Sequence, residues 1–364
     1  MDKASSKYFN LYSNCVITTG YKQAVLVNLC ENTYFFIPNE LRKILIAFKT
    51  QSVDDVKKKY NYEFDGEIDN FLNYLINKNV GFYYSSIKNF IAFDTIWDIP
   101  YKISNIIISL PSKLQVNLMP LTNLKIDCLG IDIEEYSIVT IELIKEIIKI
   151  IACNTFHIFI HSQVTESSIK LLINTFSKLT HVYVFNTKKD LISQYAGTMI
   201  IFETTRCYVN QNNFIANIPP FTESQKRNTY FNRTLYIGVN GEIKNAPLTE
   251  PIFGNINQLN DTSEILDIIA TREFQKYWFV HKDIIDVCKQ CEFRHMCVDN
   301  RVPKQRNDKG WFMETECNYN PYIAKWKDEE GYKTLSECGV QSNSEGFKIN
   351  RKKINAINKE LWGD

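Results

Sequence analysis

The sequence has no excess of charge of either sign. Its 364 residues include 42 Lys and Arg against 41 Asp and Glu, which gives a formal net charge of +1. Proteins that are drawn to nucleic acid or to anionic membranes by their overall charge are strongly basic. We therefore predict neither a nucleic-acid partner nor a membrane partner.

Long apolar runs are also missing. No uninterrupted hydrophobic stretch approaches the roughly 20 residues that a helix needs to cross a bilayer. The N-terminal sequence MDKASSKYFNLYSN contains no apolar segment of the kind found in signal peptides. We therefore expect a cytoplasmic protein, whose cysteines are thiols or metal ligands because that compartment is reducing.

Glycine-rich phosphate-binding loops are absent from the strand-to-helix turns predicted in the middle of the chain, so no nucleotide site is predicted there. At 364 residues the chain is longer than one hydrophobic core usually organises. We expect an α/β fold with α+β extensions. Its predicted domains are residues 1–95, 96–230 and 231–335, followed by a C-terminal helical tail at 336–364.

Cysteine is the residue type whose placement is most informative. Cys288, Cys291, Cys297 and Cys317 have two, five and nineteen residues between successive members. C-x2-C followed by x5-C can bring three thiolates to one centre within a local turn, and a loop then supplies the fourth. Spacing alone does not separate an iron-sulfur cluster from zinc, because both accept four thiolates. Core thiols that fall together by chance are a further alternative, as is an oxidised disulfide framework, although such frameworks belong to small secreted proteins.

Other polar groups lie near this quartet in sequence. Asp299, Asn300 and Arg301 are suited to hydrogen bonds with cluster sulfur, which tune a cluster's potential. Solvated loop residues are the alternative for these three. Cys338, in the sequence LSECGV, is close enough to be a fifth ligand or a substitute.

The sequence around the cysteines resembles a known family. CEFRHMCVDNRVP and ECNYNPYIAKW, with LYIGVNGEIKNAP and KDIIDVC upstream, are similar to the SPASM domain that follows radical-SAM enzymes maturing ribosomally made peptides. More narrowly, they resemble the SPASM-domain maturase of grasp-with-spasm, or graspetide-type, systems, which is encoded beside an ATP-grasp ligase. The resemblance implies a [4Fe-4S] cluster on Cys288, Cys291, Cys297 and Cys317, with zinc as the alternative. Asn245, Ala246 and Arg301 stand where SPASM domains usually have further cysteines, which leaves ligands for one cluster.

The middle of the chain alternates predicted strands, at 104–110, 123–128, 156–161, 181–185 and 198–203, with predicted helices at 141–151 and 167–179. Such alternation predicts a mostly parallel sheet or partial barrel. The resemblance implies a radical-SAM-like barrel there, yet the chain has no C-x3-C-x2-C motif to hold its catalytic cluster. We therefore expect a degenerate, non-catalytic barrel. His157 and His161 would lie about 13 Å apart along one strand, too far to share an ion.

Residues 1–95 show predicted strands at 8–18, 22–30 and 33–37, then three helices and a strand at 80–84. This order is that of a winged helix-turn-helix, and it resembles the leader-peptide recognition element of peptide-maturation enzymes. The third predicted helix carries Asp65, Glu67 and Asp69 against Lys78 alone, which argues against DNA contact.

A recognition element would let an extended leader peptide add a strand at the sheet edge and place side chains beside the third helix. The candidate peptide-binding residues share those two positions, and the alternative for each is the core of this small domain. They are Tyr34, Phe35 and Phe36 on the strand, and Ile68, Phe71, Leu72 and Leu75 on the helix.

The resemblance thus implies an accessory protein of peptide maturation, which binds the leader of a precursor peptide and works with an ATP-grasp ligase. The missing C-x3-C-x2-C motif predicts that it does so without radical-SAM catalysis. An iron-sulfur redox protein or enzyme acting on a peptide is one alternative, and a zinc-stapled adapter is the other. We expect the peptide and metal sites to lie in separate domains. Removal of residues 1–90 would then leave the cluster intact.

Overall fold

The computed structural model describes residues 7–85, 90–110, 116–188, 190–204, 209 and 214–363. Its N-terminal unit contains a three-stranded antiparallel sheet in the order β2-β3-β4 and a two-stranded pair of β1 with β5. Three helices lie between these strands in sequence. The elements are β1 (Tyr8–Leu11), β2 (Cys15–Thr19), β3 (Gln23–Asn28), β4 (Thr33–Pro38), α1 (Asn39–Ala47), α2 (Val53–Lys59), α3 (Asp65–Asn77) and β5 (Gly81–Tyr84).

Local signals explain most of these boundaries. Ser52 begins α2 with a capping box, in which its side chain accepts from the Asp55 amide and Asp55 accepts from the Ser52 amide. The single strand predicted at 8–18 is two strands, because a turn at 12–15 redirects the chain. Asn39 is the first residue of α1 and not its cap, and its side-chain amide donates to the Lys22 carbonyl at 3.0 Å.

The middle of the chain forms an eight-stranded, mostly parallel sheet in the order β10-β11-β9-β8-β7-β6-β12-β13. Only β10 and β13, at its two edges, run antiparallel to their neighbours. The elements are β6 (Asn105–Leu110), β7 (Ile126–Ile133), α4 (Ile138–Ile150), β8 (Cys153–Ile160), α5 (Glu166–Thr175), β9 (Leu179–Val184), β10 (Leu191–Tyr195), β11 (Thr198–Phe202), α6 (Ile218–Ser224), β12 (Thr234–Ile237) and β13 (Ile243–Lys244).

The two faces of this sheet differ. Along β8, Phe156, Ile158 and Ile160 are buried in one hydrophobic cluster with the apolar stripes of α4 and α5. Thr155, His157 and Phe159 alternate with them and line a cavity on the opposite face. The sheet is therefore apolar beneath its helices and mixed in chemistry on its other side.

The predicted boundary at residues 230 and 231 cuts through this sheet. Strand β12 pairs in parallel with β6, in the register Leu235 with Ile106. Strand β12 also forms a hairpin with β13, with Ile237 opposite Ile243, so both strands belong to the α/β sheet. Farther along the chain, the helix at Thr262–Ala270 ends because the backbone becomes extended at Thr271.

The remaining C-terminal chain is built from short turns and three small hairpins, closed by a helix. A cluster of buried apolar residues that includes Tyr322, Ile354 and Ile357 fixes this helix to the rest of the protein. The elements are α7 (Thr262–Ala270), β14 (Lys304–Gln305), β15 (Trp311–Phe312), β16 (Tyr319–Asn320), β17 (Lys325–Trp326), β18 (Val340–Asn343), β19 (Gly346–Ile349) and α8 (Arg351–Trp362). Within the described ranges, no helix has both the length and the apolar character needed to cross a membrane.

The N-terminal unit and the cysteine-rich segment share a hydrophobic core, contrary to the expectation of separate domains. One face of the β2-β3-β4 sheet supplies Val25, Val27 and Leu29 to a cluster that contains Phe293 and Trp326. Buried apolar surface is thus shared between residues more than 250 positions apart in sequence. The N-terminal unit and the cysteine-rich segment therefore cannot be separated without exposing this apolar surface.

Candidate functional site

Cys288 and Cys291 are held by a single tight turn. The turn spans 288–290, and the Cys291 amide donates to the Cys288 carbonyl at 2.9 Å. Val287, just before it, has φ of 65°, which is a rare conformation for a β-branched residue. Such strain persists only where the surrounding structure enforces it, and it often accompanies a functional constraint.

The four thiols lie within electrostatic range of one another. Cys317 acts on Cys288, Cys291 and Cys297, while Cys288 acts on Cys297 and Cys297 acts on Cys291. Burial raises the pKa of all three of these thiols, that of Cys297 to about 12. In the part of the chain that the structure describes, however, no three His, Cys, Asp or Glu side chains are placed to hold a metal ion.

These observations test the two metal groups differently. A zinc ion at about 2.3 Å from each of four sulfurs would bring the sulfurs to roughly 3.8 Å from one another. A [4Fe-4S] cluster binds each thiolate through a different iron, so it tolerates wider separation. The donor type and burial of the quartet fit either group.

A buried charge cluster lies beside the quartet. Asp299 accepts from Lys282 Nζ at 3.1 Å and from Arg301 Nη2 at 2.7 Å. The three residues are 2%, 7% and 8% exposed, respectively, so two cations and one carboxylate leave one net positive charge in the interior. Burial by itself would lower the pKa of Lys282. The negative charge of Asp299, and then of Cys297 and Cys288, outweighs burial, so the pKa is raised above its usual value. Uncompensated buried charge is costly, and thiolate ligands would neutralise it.

The three residues predicted to form hydrogen bonds with cluster sulfur, Asp299, Asn300 and Arg301, do not all lie together. Asp299 and Arg301 form the ion pair just described, and Arg301 also donates to the Thr315 carbonyl at 2.6 Å. Asn300 lines the cavity beneath the sheet. Lys282 was not found by sequence reasoning, because nothing in its spacing from Cys288 distinguishes it from other lysines.

Glu292 is a second buried group that the sequence did not reveal. It accepts a hydrogen bond from the Tyr319 hydroxyl and another, at 2.8 Å, from the Gln23 side-chain amide in β3. Burial raises the pKa of this carboxyl, and Glu292 in turn contributes to the raised pKa of Cys291. A polar contact therefore joins the N-terminal sheet to the cysteine turn.

Cys338 does not join the quartet. It is fully buried in the hydrophobic cluster beneath α8, and its sulfur accepts from the Asn320 side chain at 3.4 Å. The charges that act on it are Glu337, Lys333 and Lys353. The possible role of Cys338 as an extra ligand is therefore unsupported by its position.

The candidate peptide-binding residues divide into two groups. On β4, Tyr34 and Phe36 project toward the cysteine segment, with ring centroids 6.1 and 5.7 Å from that of Phe293. Phe35 points to the other face, where it packs against the helical core. Phe36 is half exposed, and β4 pairs only with β3 among the described strands, so its outer edge is an open strand edge.

The helical candidates are mostly core residues. Ile68, Leu72 and Leu75 are at most 1% exposed and belong to the core of the N-terminal unit. Phe71 is half-buried against the same core. The prediction that these residues line an open groove is therefore wrong for the first three, and the alternative, that they are simply core, is correct.

The histidines of the sheet form a pair that sequence reasoning missed. His157 lies opposite His181 in the register of β8 with β9, and their ring centroids are 4.5 Å apart. His161 instead contacts Asp132, with Nε2 2.7 Å from Oδ1. Cross-strand pairing was the information that sequence lacked, because the strand order was unknown.

No protein-family model matches the sequence, and no curated protein matches it.

Proposed function

We propose that this protein is a cytoplasmic accessory factor of ribosomally made peptide maturation, which binds the leader of a precursor peptide and works with an ATP-grasp ligase. It performs no radical-SAM chemistry of its own. A [4Fe-4S] cluster on Cys288, Cys291, Cys297 and Cys317 gives the cysteine segment its fixed shape. The observation that carries this proposal is the open edge of β4 beside that segment.

The open edge supports peptide binding through the backbone. An unpaired strand edge offers a row of amide and carbonyl groups, to which an extended peptide adds as a further strand. On one side of β4 the peptide would meet the half-exposed ring of Phe36, and beyond it Phe293. Main-chain hydrogen bonds would supply affinity, and these aromatic side chains would supply selection.

The charge cluster supports an anionic metal group at the cysteines. Four thiolates on a [4Fe-4S] or zinc centre carry net negative charge, and Lys282 with Arg301 supplies buried positive charge in excess of Asp299. When bound, the group would cross-link the turn at Cys288 to the distant Cys317. Because metal binding in such sites is coupled to folding, its role would be structural.

Binding of a labelled precursor peptide, encoded beside the ligase gene, tests the peptide role. Phe36→Ser should weaken binding to the full-length protein about tenfold, since one desolvated aromatic contact is lost. Tyr62→Ser is the matched control, because Tyr62 is exposed to a similar degree but lies on the turn between α2 and α3. Equal effects of the two substitutions, or preference for duplex DNA over the precursor, would refute the proposal.

The redox alternative is tested with the same material. An electron-transfer protein should retain its cluster and exchange electrons with a partner or peptide in repeated cycles, whereas an accessory factor should bind peptide equally well with oxidised or reduced cluster. A zinc-stapled adapter should carry zinc and no iron after anaerobic purification.

A further inference from the structure

The face of the eight-stranded sheet opposite α4 and α5 borders a cavity of about 730 Å³. This volume lies in the range of small-molecule sites. Alternate residues of β7, β8, β9 and β11 form its floor, and the chain around α6 together with Val298 and Asn300 forms its cover. The cavity therefore lies between the parallel sheet and the segment that follows Cys297.

Two side chains in the middle of the floor offer polar groups. His157 on β8 and Tyr183 on β9 both line the cavity, and their ring centroids are 6.2 Å apart. Neither side chain forms a hydrogen bond with any other described residue, although both contact neighbouring rings. A neutral imidazole has one donor and one acceptor nitrogen, and a tyrosine hydroxyl both donates and accepts. These atoms are therefore available to a ligand.

The cover supplies a third polar group. Asn217, just before α6, lines the cavity, and its Oδ1 atom is buried with no hydrogen-bond partner among the described residues. A buried polar atom without a partner is costly, so folded proteins usually satisfy such atoms. This amide oxygen needs a donor, which a bound ligand can supply.

Burial favours the uncharged forms of the titratable groups in the middle of the cavity. Burial, and then the neighbouring His181, lowers the pKa of His157 to about 3, and burial raises the pKa of Cys128 to about 12. Burial also raises the pKa of Tyr183, and that of Glu223 on the cover to about 7. The same loss of hydration acts against a charged group on a ligand.

No opposite charge beside His157 offsets this cost. Asp127 lies near the start of β7 and Glu203 just after the end of β11, and these strands run in the same direction, so the two carboxyl groups lie at opposite ends of the sheet. Among the described lining residues there is no lysine or arginine. Cations and anions therefore both lack a partner in the middle of the floor.

Apolar side chains line much of the remaining floor. A β-carbon added at Gly130 in β7 would lie 3.0 Å from Phe159 and 3.1 Å from Ile107, so these two side chains close over the glycine. Met199 and Ile201 line the cavity from β11. Such a site binds the body of a ligand by burial of apolar surface and fixes its orientation with a few polar contacts.

We propose that this cavity binds an uncharged small molecule whose apolar body carries a hydroxyl or amide group. The polar group exchanges hydrogen bonds with His157, Tyr183 or Asn217, while the body contacts Ile107 and Phe159. A phenol is a simple ligand of this class. The site is independent of the β4 edge and of the leader-binding role.

Calorimetry at pH 6 on the full-length, anaerobically purified protein tests the preference for an uncharged ligand with a matched set. The set is 4-ethylphenol, its cationic analogue tyramine and its anionic analogue 3-(4-hydroxyphenyl)propanoate. 4-Ethylphenol should bind at least about tenfold more tightly than either analogue, because neither charge finds a partner in the cavity. In a second arm, 4-ethylanisole, which cannot donate a hydrogen bond, should bind about fivefold more weakly than 4-ethylphenol. Comparison of 4-ethylphenol with 3-phenylpropanamide then identifies the hydroxyl or the amide as the preferred group.

Variants assign the binding to the cavity. Tyr183→Phe removes only a hydroxyl, and His157→Phe removes both ring nitrogens, so each should weaken binding of 4-ethylphenol about fivefold. Tyr136→Phe is the matched control, because Tyr136 is partly buried on the helical side of the sheet and loses the same group. Its affinity for 4-ethylphenol should equal that of the wild type. No measurable binding of 4-ethylphenol, equal or tighter binding of a charged analogue, or unchanged affinity in both cavity variants overturns the proposal.

Discussion

The ring of Phe36 in β4 meets the ring of Phe293 edge-on, with 5.7 Å between centroids and an angle of 83° between planes. Phe293 follows Cys291 by two residues, so the open strand edge and the cysteine turn are neighbours. A peptide bound along β4 would therefore contact the segment that the proposed metal group would hold in shape. Peptide binding and metal binding are thus expected to affect each other, which two separate domains would not allow.

The closeness of the two parts makes Gly20 sensitive to substitution. A β-carbon added there would lie 2.5 Å from Glu292 Oε2, 2.8 Å from the Gln23 carbonyl oxygen and 2.9 Å from the Glu292 amide nitrogen. Two of these contacts are with backbone, which cannot move without displacing the sheet or the cysteine turn. Gly20→Ala should lower the free energy of unfolding by about 1–3 kcal/mol in urea titrations.

Gly66→Ala is the control for this substitution. Gly66 lies in α3, and an added β-carbon there meets no heavy atom within 4 Å. Alanine favours helix over glycine by about 0.5–1 kcal/mol, so this variant should be equally or more stable than the wild type. Equal destabilisation by the two substitutions would contradict the close contact at Gly20.

Removal of residues 1–90 should damage the cysteine segment. The deletion exposes Phe293, Trp326 and their neighbours, which pack against Val25, Val27 and Leu29 in the intact chain. We therefore expect the truncated protein to lose bound metal and to be cleaved within the C-terminal third by proteases. Full metal content with unchanged protease resistance would show instead that the segment folds alone.

Helices and strands with strong periodic patterns could be predicted from the sequence. Which of these elements pack against one another could not. The α3 stripe and the βα alternation around His157 are local signals, because side-chain spacing records which face of a helix or strand is buried. The packing of Val25 on Phe293 joins distant segments, and no local pattern specifies it. The same limit explains why Leu72 was a candidate for peptide contact: an apolar residue in a core and one in a groove have the same sequence pattern.

At the candidate site, the spacing of the cysteines singled out the quartet, but the residues that pack around it could not be predicted from the sequence. Asp299 was predicted as a hydrogen-bonding residue from its position after Cys297. Its partner Lys282 lies seventeen positions earlier. Lysine is rarely buried, so sequence reasoning would place Lys282 at the surface and not beside Asp299. His181 was likewise hidden, because its pairing with His157 depends on strand order.

Substitution of one quartet cysteine should remove the metal group. Cys291→Ser is expected to abolish the broad visible absorbance that bleaches with dithionite, and to destabilise the C-terminal third, because binding is coupled to folding there. Cys30→Ser, at an exposed position outside the quartet, should keep iron content unchanged. A colourless wild-type protein with one zinc per chain would exclude the cluster.

S-adenosylmethionine should not be cleaved by the purified protein. Cleavage needs an iron with an open coordination site, and the sequence has no C-x3-C-x2-C loop to hold such a cluster beside the eight-stranded sheet. Four thiolates on the remaining centre leave no vacant position. Formation of 5′-deoxyadenosine above a protein-free control would contradict this expectation.

Stability should decline between pH 5 and pH 8 because of one carboxyl group. Burial raises the pKa of Glu223 from 4.5 to about 7, although Asn232 donates to it at 2.7 Å and Arg233 and Arg227 lie near. A raised pKa means that the folded state holds the proton more tightly than the unfolded state. Its stabilising effect is complete below pH 4.5 and is lost as pH rises through 7, by on the order of 3 kcal/mol.

Glu223→Gln isolates this effect, because its amide oxygen still accepts from Asn232 but carries no charge at any pH. Unfolding in urea at pH 5, 6, 7 and 8 should show the wild type losing stability relative to this variant as pH rises. Glu146→Gln, on the exposed side of α4, should follow the wild type. Parallel curves for wild type and Glu223→Gln would mean that the Glu223 carboxyl ionises as readily in the folded protein as in the unfolded chain, and that the neighbouring arginines outweigh its burial.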